Sequence, residues 1–360
     1  MASARRAGPG ADTRVLDPTI LLFLVQDGVT NGAIYALLAV ALVLAFAVTR
    51  VILLPQGEFV TFGALSLAAL EAGRIPGTAA LLVAMGFAAA FLTLWRARAA
   101  LTPALWLRTG LGDVAAPLAL YALARALAPL KLGVLPDVLL TLALIVPMGP
   151  LIYRIAFEPL AEASVLVLLI ASVGVDLALT GLGLVFFGPE GYRTTPVFSQ
   201  SFALGPMIFS AQSLIVFAMT AALMLALYLF FGRTLAGKAL QASAVNRTGA
   251  RLVGISTAFS GRAALAICAF IGALSGILIV PATTIYFDSG FIIGLKGFVA
   301  AILGGLGSYP LAVAAALFVG IVESFSSFEA SAFKEVIVFT VIIPVLLWRS
   351  ARGGVLEDES

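Results

Sequence analysis

The feature of this sequence that most limits its fold is a succession of long apolar runs joined by short polar loops. A helix needs roughly 20 apolar residues to cross a bilayer, and a membrane-spanning backbone must satisfy its own hydrogen bonds. The second, ninth and tenth runs are short, as broken or re-entrant helices are. The sequence therefore predicts an all-α fold, a polytopic helical membrane protein with about 9–11 transmembrane or re-entrant helices. The predicted spans are 29–49, 57–73, 78–95, 113–130, 134–153, 164–187, 211–231, 262–284, 292–306, 311–327 and 334–348.

The composition agrees with this fold class and excludes several kinds of protein. Of the 360 residues, 62% are hydrophobic and 11% are charged, whereas soluble domains are nearer half apolar and a quarter charged. The chain has no histidine and a single cysteine, Cys268, which excludes zinc sites, Ser–His or Cys–His catalysis and an internal disulfide. The net charge of +3 gives no indication of nucleic-acid binding. We therefore predict no catalytic residue and no metal site, in a chain surrounded by the lipid bilayer.

The two ends of the chain differ from its apolar middle. Residues 1–17, rich in Ala, Gly, Pro and Arg, predict a disordered tail, and 351–360 predict a cytoplasmic tail after a membrane domain at 18–350. The polar triplet Gln26-Asp27-Gly28 interrupts the first apolar run, so the first span is predicted to begin after it. A cleaved signal peptide is disfavoured because the apolar pattern continues through the whole chain.

The basic residues give an orientation. Loops on the same side as 232–262 hold more Lys and Arg than the loops on the other side. Because cytoplasmic loops are enriched in these residues, 232–262 is predicted to be cytoplasmic, with the N-terminus outside a multi-pass cell (inner) membrane protein. If the N-terminal tail were cytoplasmic instead, one of the short segments would not cross.

The longest polar stretch, 231–256, contains a near match to a phosphate-binding loop. Gly232, Gly237 and Lys238 have the spacing of G-x-x-x-x-G-K-[S/T], but Ala239 stands where the magnesium-binding Ser or Thr is required. An apolar span precedes the loop, where a phosphate-binding loop follows a buried strand. We therefore predict that this chain binds neither ATP nor another cofactor.

The same stretch has the pattern of two short amphipathic helices, interrupted by Gly249 and Gly254. One interpretation is an interfacial loop held at the lipid headgroups by its basic residues. The other is a coupling element that docks in a groove on a partner. The apolar stripes of this pattern are formed by Leu235, Ala239, Ala242, Leu252, Val253 and Ile255.

The segment "GKALQASAVNRTGARLVGIS" (237–256) resembles the cytoplasmic coupling loop of the branched-chain amino acid permeases of bacterial ABC importers. In that family the loop runs basic-Ala-x-Ala, then polar residues, then Ala-x-x-x-Gly-Ile. Gln241 stands where the family usually has arginine. The resemblance implies that the 232–262 loop contacts an ATPase subunit through Lys238, Ala242, Ala244, Asn246, Ala250, Arg251, Gly254 and Ile255.

Three further segments are similar to the same family. They are "NGAIYALLAVALVLAFAVTRVI" (31–52), "RIAFEPL" with "LIASVGVDLAL" (154–179), and "GLKGFVAAILGGLGSYPLAVAAALFVGIVES" (294–324), so that the resemblance covers 31–95 and 134–350. It implies a second permease subunit, two cytoplasmic ATPase subunits that carry ATP and Mg, and an extracytoplasmic solute-binding protein. The implied function is import of branched-chain amino acids, or of a similar small polar solute such as urea or an amide, by alternating access. An ion-coupled secondary transporter is the alternative, and a membrane-embedded enzyme or scaffold is disfavoured.

The sequence departs from the family in three places. Residues 52–58 read Ile-Leu-Leu-Pro-Gln-Gly-Glu, and only the final Gly-Glu follows the family pattern. Residues 96–133 predict an extra helix with its connections. The segment 158–164, "EPLAEAS", is acidic where the family is basic, so a contact at the cytoplasmic face is expected to differ.

Ionisable and polar groups within spans are costly, and each is therefore a candidate for the translocation pathway. Asp176 either lines a cavity or is neutralised by Arg125 or a proton. Glu58 begins a short span, where the helix dipole favours a carboxylate. Lys296 either snorkels to the surface or takes part in function. The full set of pathway candidates is Asn31, Tyr35, Glu58, Asp176 and Lys296, with a hydrogen bond between helices as the alternative for Asn31 and Tyr35.

Small residues recur at helical spacing in the last third of the chain. Gly272 and Gly276 form a small-xxx-small pair, and Gly304, Gly305 and Gly307 cluster before Pro310. Small residues let helices approach closely in lipid. These glycines are predicted to be packing sites between helices or between permease subunits.

Overall fold

The computed structural model describes residues 18–98, 102–196, 200–204 and 207–351. The tail predicted at 1–17 and residues 352–360 lie outside these ranges. The all-α prediction is confirmed, since the described chain is helical apart from one hairpin. Within the described ranges, eight helices are long and apolar enough to cross a membrane, and a shorter apolar helix accompanies them.

The first half of the chain forms eight α-helices. Two π-helical turns, Gly110–Ala115 and Tyr153–Phe157, and two 3₁₀ turns, Ala128–Leu130 and Glu158–Leu160, extend some of them. The α-helices are α1 (Pro18–Thr49), α2 (Gln56–Glu71), α3 (Gly77–Arg96), α4 (Pro103–Thr109), α5 (Ala116–Leu127), α6 (Val134–Ile145), α7 (Met148–Ile152) and α8 (Val165–Phe187).

The second half begins with a short antiparallel hairpin that the hydropathy pattern did not predict. Strands β1 (Ser201–Leu204) and β2 (Met207–Ser210) pair with Ser201 opposite Ser210. The helices that follow are α9 (Ala211–Arg233), α10 (Leu235–Val245), α11 (Arg247–Leu252), α12 (Thr257–Ile279), α13 (Ser289–Leu303), α14 (Tyr309–Glu329), α15 (Lys334–Thr340) and α16 (Ile342–Ala351), with a 3₁₀ turn at Ser331–Phe333.

Helix α1 is longer than the sequence predicted. It starts at Pro18 and runs for 32 residues through Gln26-Asp27-Gly28, so the prediction that this triplet ends the apolar run before residue 29 was wrong. The triplet is tolerated because Asp27 accepts a hydrogen bond from Ser324 of α14 at 3.3 Å. A Cβ on Gly28 would lie 2.6 Å from the Cα of Ile321, so this glycine lets α1 and α14 touch.

Helix α2 starts inside the protein and not at its surface. Its 16 residues span about 24 Å, less than the ~30 Å hydrocarbon core. Gln56, its first residue, is fully buried and donates to the carbonyl of Cys268, near the middle of α12, at 3.0 Å. Just before it, the Leu54 amide donates to Ser172 of α8 at 3.0 Å. A non-helical entry at membrane depth is possible here because protein, not lipid, surrounds it.

The last predicted spans differ from the sequence expectation in length. The tenth was expected to be short but is a full helix, α14, of 21 residues. The span predicted at 334–348 is broken at Val341 into α15 and α16.

Glycines set the distance between the central helices. A Cβ on Gly276 of α12 would lie 2.0 Å from the carbonyl oxygen of Val60 in α2, and one on Gly272 would lie 2.6 Å from the Cβ of Phe59. In the same way a Cβ on Gly57 would lie 1.9 Å from the carbonyl oxygen of Gly290 in α13. Backbone therefore meets backbone where α2 crosses α12 and α13, which only small residues permit.

The three glycines after α13 have different positions. A Cβ on Gly304 would lie 2.6 Å from the Cα of Ala312, so Gly304 packs α13 against α14. Gly305 has a φ of +83°, and it turns the chain between these helices. Gly307 faces open space apart from the carbonyl of Gly305, so within this chain it is not the helix-packing site that the sequence predicted.

Helices α1 and α12 are mostly buried, whereas α8, α9 and the helical segment Gly110–Leu130 are mostly exposed and apolar. In a bilayer such faces meet lipid or another membrane subunit. The arrangement is a core of α1, α2, α12 and α13, closed on one side by α14.

Gly276→Ala is expected to destabilise the protein by about 1–3 kcal/mol, because the added methyl overlaps the Val60 carbonyl and forces the helices apart. Gly174→Ala is the matched control, since Gly174 lies in α8 with open space around it. Thermal unfolding of the purified protein in mild detergent measures both. Equal melting temperatures for the two variants would contradict the packing role of Gly276.

Candidate functional site

The five pathway candidates fall into two groups. Asn31, Tyr35 and Lys296 line one cavity, while Glu58 and Asp176 lie outside its lining. The groups are separated by the crossing of α2 and α13.

A buried ion cluster forms the first group. The Lys296 ammonium of α13 lies 2.5 Å from Glu323 of α14 and 3.1 Å from Glu335 of α15. The Tyr35 hydroxyl of α1 donates to the second Glu323 oxygen at 2.5 Å, and its ring centroid lies 5.8 Å from the ammonium. We call Tyr35, Lys296, Glu323 and Glu335 the Lys296 cluster. It ties α1, near the start of the described chain, to three consecutive helices near its end, α13, α14 and α15.

Three members of the Lys296 cluster, Tyr35, Lys296 and Glu323, form one wall of a cavity of about 390 Å³. Asp27 and Asn31 of α1, Ser324 of α14 and Lys334 also line this cavity, together with the loop that precedes α13. Asp27 and Lys334 are partly exposed, so the cavity opens to the surface there. It therefore presents carboxylates and ammonium groups side by side, an arrangement that suits a small zwitterion.

This geometry changes one prediction and adds residues that the sequence interpretation missed. Lys296 does not snorkel to the surface; it is 4% exposed and points into the protein. Glu323 and Glu335 were overlooked, as was Asp27. Glu323 lies inside a predicted span, so the rule that flags ionisable residues at membrane depth applied to it as well. Glu335 stands at the start of the predicted span 334–348 and Asp27 precedes the predicted span 29–49, so both lie at span edges, where that rule gives little signal.

The second group lies at the buried start of α2. Glu58 is in the first turn of α2 and is fully buried, and Asp176 of α8 is 2% exposed. The Thr180 hydroxyl lies 3.2 Å from Glu58 and 3.0 Å from the Asp176 carbonyl. One carboxyl oxygen of Glu58 and one of Asp176 have no hydrogen-bond partner among the described residues. Both oxygens are buried acceptors without a donor among the described residues, an uncommon arrangement inside a folded protein.

Arg125 does not neutralise Asp176. Arg125 is exposed on α5, and no ion pair joins it to Asp176 in the described structure. The pairing considered in the sequence analysis was therefore wrong. Asp113, which lies in the same 96–133 segment, pairs with Arg154. Within the described ranges, no three His, Cys, Asp or Glu side chains come together as a metal site requires.

The 232–262 loop is two short helices whose ends are fixed by side-chain caps. Thr234 accepts from the Gly237 amide at 3.0 Å at the start of α10, and Asn246 accepts from the Gly249 amide at 2.8 Å at the start of α11. The break therefore lies at Asn246, and Gly249 lies within α11, contrary to the sequence interpretation. Gly254 follows α11 with a φ of +86°, a conformation that favours glycine.

One face of these helices is anchored to the membrane core. Leu240 packs with Leu44 and Val48 at the end of α1 and with Ala264 of α12. The hydroxyls of Ser243 and Ser260 lie 2.8 Å apart, which joins α10 to α12. These contacts fix α10 to α1 and α12.

The opposite face is apolar and exposed. Its four side chains, which we call the docking row, are Leu235 (87% exposed), Val245 (86%), Leu252 (84%) and Val253 (76%). Basic residues flank it: Lys238 is exposed, and Arg251 lies 2.9 Å from Glu162. Glu162 belongs to the acidic 158–164 segment, so that segment contacts α11. Exposed apolar clusters of this kind mark interaction sites.

The residues that the family resemblance assigned to coupling are not equally accessible. Ala250 is 3% exposed, and Ala242, Ala244 and Ile255 are half-buried. The fully exposed ones are Lys238, Asn246, Arg251 and Gly254. The sequence interpretation omitted Val245, whose exposure depends on where α10 ends.

Lys296→Met is expected to destabilise the protein by about 3–5 kcal/mol, because it leaves Glu323 buried without a counter-ion, whereas Glu335 is partly exposed and keeps Lys334 at 3.9 Å. Adding Glu323→Gln is expected to restore part of that loss. Thermal unfolding in detergent measures both variants. If Lys296→Met alone is as stable as the wild type, the Lys296 cluster is not a structural ion pair.

Two comparisons with known proteins bear on identity. The family described as "Branched-chain amino acid transport system / permease component" matches residues 110–346, well over half of the chain. The match starts inside the segment 96–133 that the sequence predicted to be an insertion. It leaves out 31–95, the first part of the chain in which a resemblance was found.

Curated relatives carry the same description. The high-affinity branched-chain amino acid transport system permease protein BraD of Pseudomonas aeruginosa is 28% identical over 208 residues, 56% of this chain and 68% of the relative. LivH of Escherichia coli, described in the same words, is 30% identical over 203 residues, 54% of this chain and 66% of the relative. The aligned part thus spans about two thirds of each relative. No solved structure gives a significant match. The resemblance inferred from the sequence is confirmed, and this chain belongs to the family of permease components of branched-chain amino acid transport systems.

Proposed function

We propose that this chain is the permease subunit of an ATP-driven importer in the cell (inner) membrane. Its solute is a branched-chain amino acid or a similar small polar molecule such as urea or an amide, moved by alternating access. The observation that carries the proposal is the docking row, an exposed apolar surface on two short helices that are anchored to the core by their other face.

The docking row supports a protein partner on this face because apolar side chains with such exposure are costly in water. Helices presented in this way fit a groove on a partner, with neighbouring basic side chains at the rim. The partners are two cytoplasmic ATPase subunits, which bind the ATP and Mg. A second permease subunit and an extracytoplasmic solute-binding protein complete the transporter.

Coupling requires that the ATPase bind the inward-facing and outward-facing states of the permease with different affinity. The anchoring of Leu240 and Ser243 supports a direct mechanical connection to α1 and α12. Helix α1 carries Asn31 and Tyr35, and α12 packs against the buried start of α2. Movement at the docking row therefore reaches both groups of pathway candidates.

The cavity beside the Lys296 cluster supports a small zwitterionic solute. Its ammonium and carboxylate groups are able to bind the carboxylate and ammonium of an amino acid. The buried carboxyls of Glu58 on α2 and Asp176 on α8 are candidates for further polar contacts. In discontinuous-helix transporters such buried helix starts are where solutes bind.

Replacing Val245 and Leu252 with Asp is expected to reduce recovery of the ATPase by about tenfold or more, the effect of losing roughly 1.4 kcal/mol of binding free energy. The measurement is a mild-detergent pull-down of the tagged chain from its own host, with ATPase identified by mass spectrometry. Both side chains are exposed, so these changes are expected to preserve folding. A change at buried Ala250 would not separate loss of ATPase binding from misfolding.

Leu132→Asp is the matched control, because Leu132 is an exposed apolar residue on the loop between α5 and α6, at the other end of the protein. It is expected to recover ATPase as the wild type does. If neither wild type nor control recovers an ATPase, the importer proposal fails.

The second candidate is an ion-coupled secondary transporter, favoured by the unpartnered oxygens of Glu58 and Asp176. Uptake into proteoliposomes separates the two functions. For the importer, uptake is expected to require ATP and the ATPase, and to continue without a proton or sodium gradient. Uptake that needs such a gradient, and that Asp176→Asn abolishes, would support the second candidate.

A further inference from the structure

A second cavity, of about 600 Å³, lies beside the inserted helical segment and belongs to neither group of pathway candidates. Three arginines line it, Arg96 of α3, Arg154 after α7 and Arg262 of α12, together with Asp113 and Glu158. It lies on the same end of the protein as α10 and α11. No part of the proposed transport function uses it.

This cavity adjoins an apolar groove at an ion pair, because Asp113, Arg154 and Arg262 line both spaces. The Arg154 guanidinium donates to both carboxylate oxygens of Asp113 and, at 2.8 Å, to Thr93. Both charged residues lie in π-helical turns, Gly110–Ala115 and Tyr153–Phe157, which are rare and occur frequently at functional sites. On the other side of the pair, a groove of about 270 Å³ is lined by Pro117, Leu120 and other apolar side chains.

Two of the three arginines, Arg96 and Arg262, have guanidinium N–H donors that are not used in the hydrogen bonds and ion pairs of the described residues. Arg154 makes three hydrogen bonds, two to Asp113 and one to Thr93. Arg96 is exposed and makes no ion pair with any residue in the described ranges. Arg262 donates through Nε to the Ala258 carbonyl and lies 3.7 Å from Glu158, which leaves its terminal nitrogens for a ligand. The cavity therefore offers donors to a negatively charged group.

The cavity lies at the depth of the lipid headgroups. Trp95 and Trp106 are exposed beside it, and the Arg98 guanidinium lies 5.2 Å from the Trp95 ring centroid. Tryptophan and arginine mark the membrane–water interface, and exposed Phe91 and Leu111 continue the surface as an apolar face. A polar cavity at this depth that continues into an apolar groove has the shape of an amphiphile.

We propose that the cavity and groove together bind one anionic phospholipid. Its phosphate contacts Arg96 and Arg262, and an acyl chain occupies the groove beside Pro117 and Leu120. Basic pockets between transmembrane helices bind anionic headgroups in this way. The inserted segment supplies Asp113 and one wall of the groove, so the lipid holds that segment against α3 and α12.

Native mass spectrometry of the purified full chain tests the proposal. Native lipid is first removed, and phosphatidylglycerol or phosphatidylcholine is then added. The wild type is expected to bind one phosphatidylglycerol molecule and no phosphatidylcholine. Arg96→Gln with Arg262→Gln is expected to bind phosphatidylglycerol about tenfold or more weakly. Arg98→Gln, which removes a neighbouring arginine outside the cavity, is the matched control and is expected to bind as the wild type does.

A third variant tests the groove and guards against misfolding. Ala116 is exposed and lines the groove, so Ala116→Trp fills the groove without disturbing the core or any charge. It is expected to lose phosphatidylglycerol while keeping the wild-type melting temperature. Unchanged lipid binding in both the double arginine variant and Ala116→Trp overturns the proposal. The proposal is also overturned if millimolar inorganic phosphate displaces phosphatidylglycerol while Ala116→Trp still binds phosphatidylglycerol. The cavity would then bind a simple anion.

Discussion

The arrangement of this protein depends on close backbone contact between α2 and its neighbours. In lipid no hydrophobic drive brings helices together, so packing depends on how closely their surfaces approach. Gly57, Gly272 and Gly276 remove the side chains that would hold α2 away from α12 and α13. Helix α2 begins within the protein and not at its surface. Its first turn therefore places the Glu58 carboxyl in the protein interior, among the packed helices.

Buried charges are the second constraint on how the helices pack. They connect the last helices to α1, whereas the glycines connect α2 to α12 and α13. The Lys296 cluster joins α1, α13, α14 and α15 through one ammonium and two carboxylates. An ion pair at this depth adds little net stability, but it penalises any arrangement that separates its partners. The cluster therefore specifies how the last helices sit against α1, although α15 and α16 are too short and broken to specify it themselves.

Much of the architecture was predictable, because runs of apolar residues report directly on membrane-spanning helices. The two helices of the 232–262 loop were also predicted from their periodicity, but the break at Asn246 was not, since a cap depends on local hydrogen bonds. The pairing of Lys296 with Glu323 and Glu335 could not be predicted, because it depends on which helices meet. Val245 was missed for a related reason: its exposure depends on where α10 ends, which is at the Asn246 cap.

The length of α1 has a consequence for the surrounding lipid. Its 32 residues extend about 48 Å, well beyond the ~30 Å hydrocarbon core. The first turns carry the exposed apolar residues Ile20, Leu22, Phe23 and Val25. Since α1 is packed against α14, it tilts together with the helix bundle and not on its own. Any hydrophobic length that this tilt does not absorb is met by the bilayer, at a cost of fractions of a kcal/mol for each ångström, which links membrane thickness to this protein's stability.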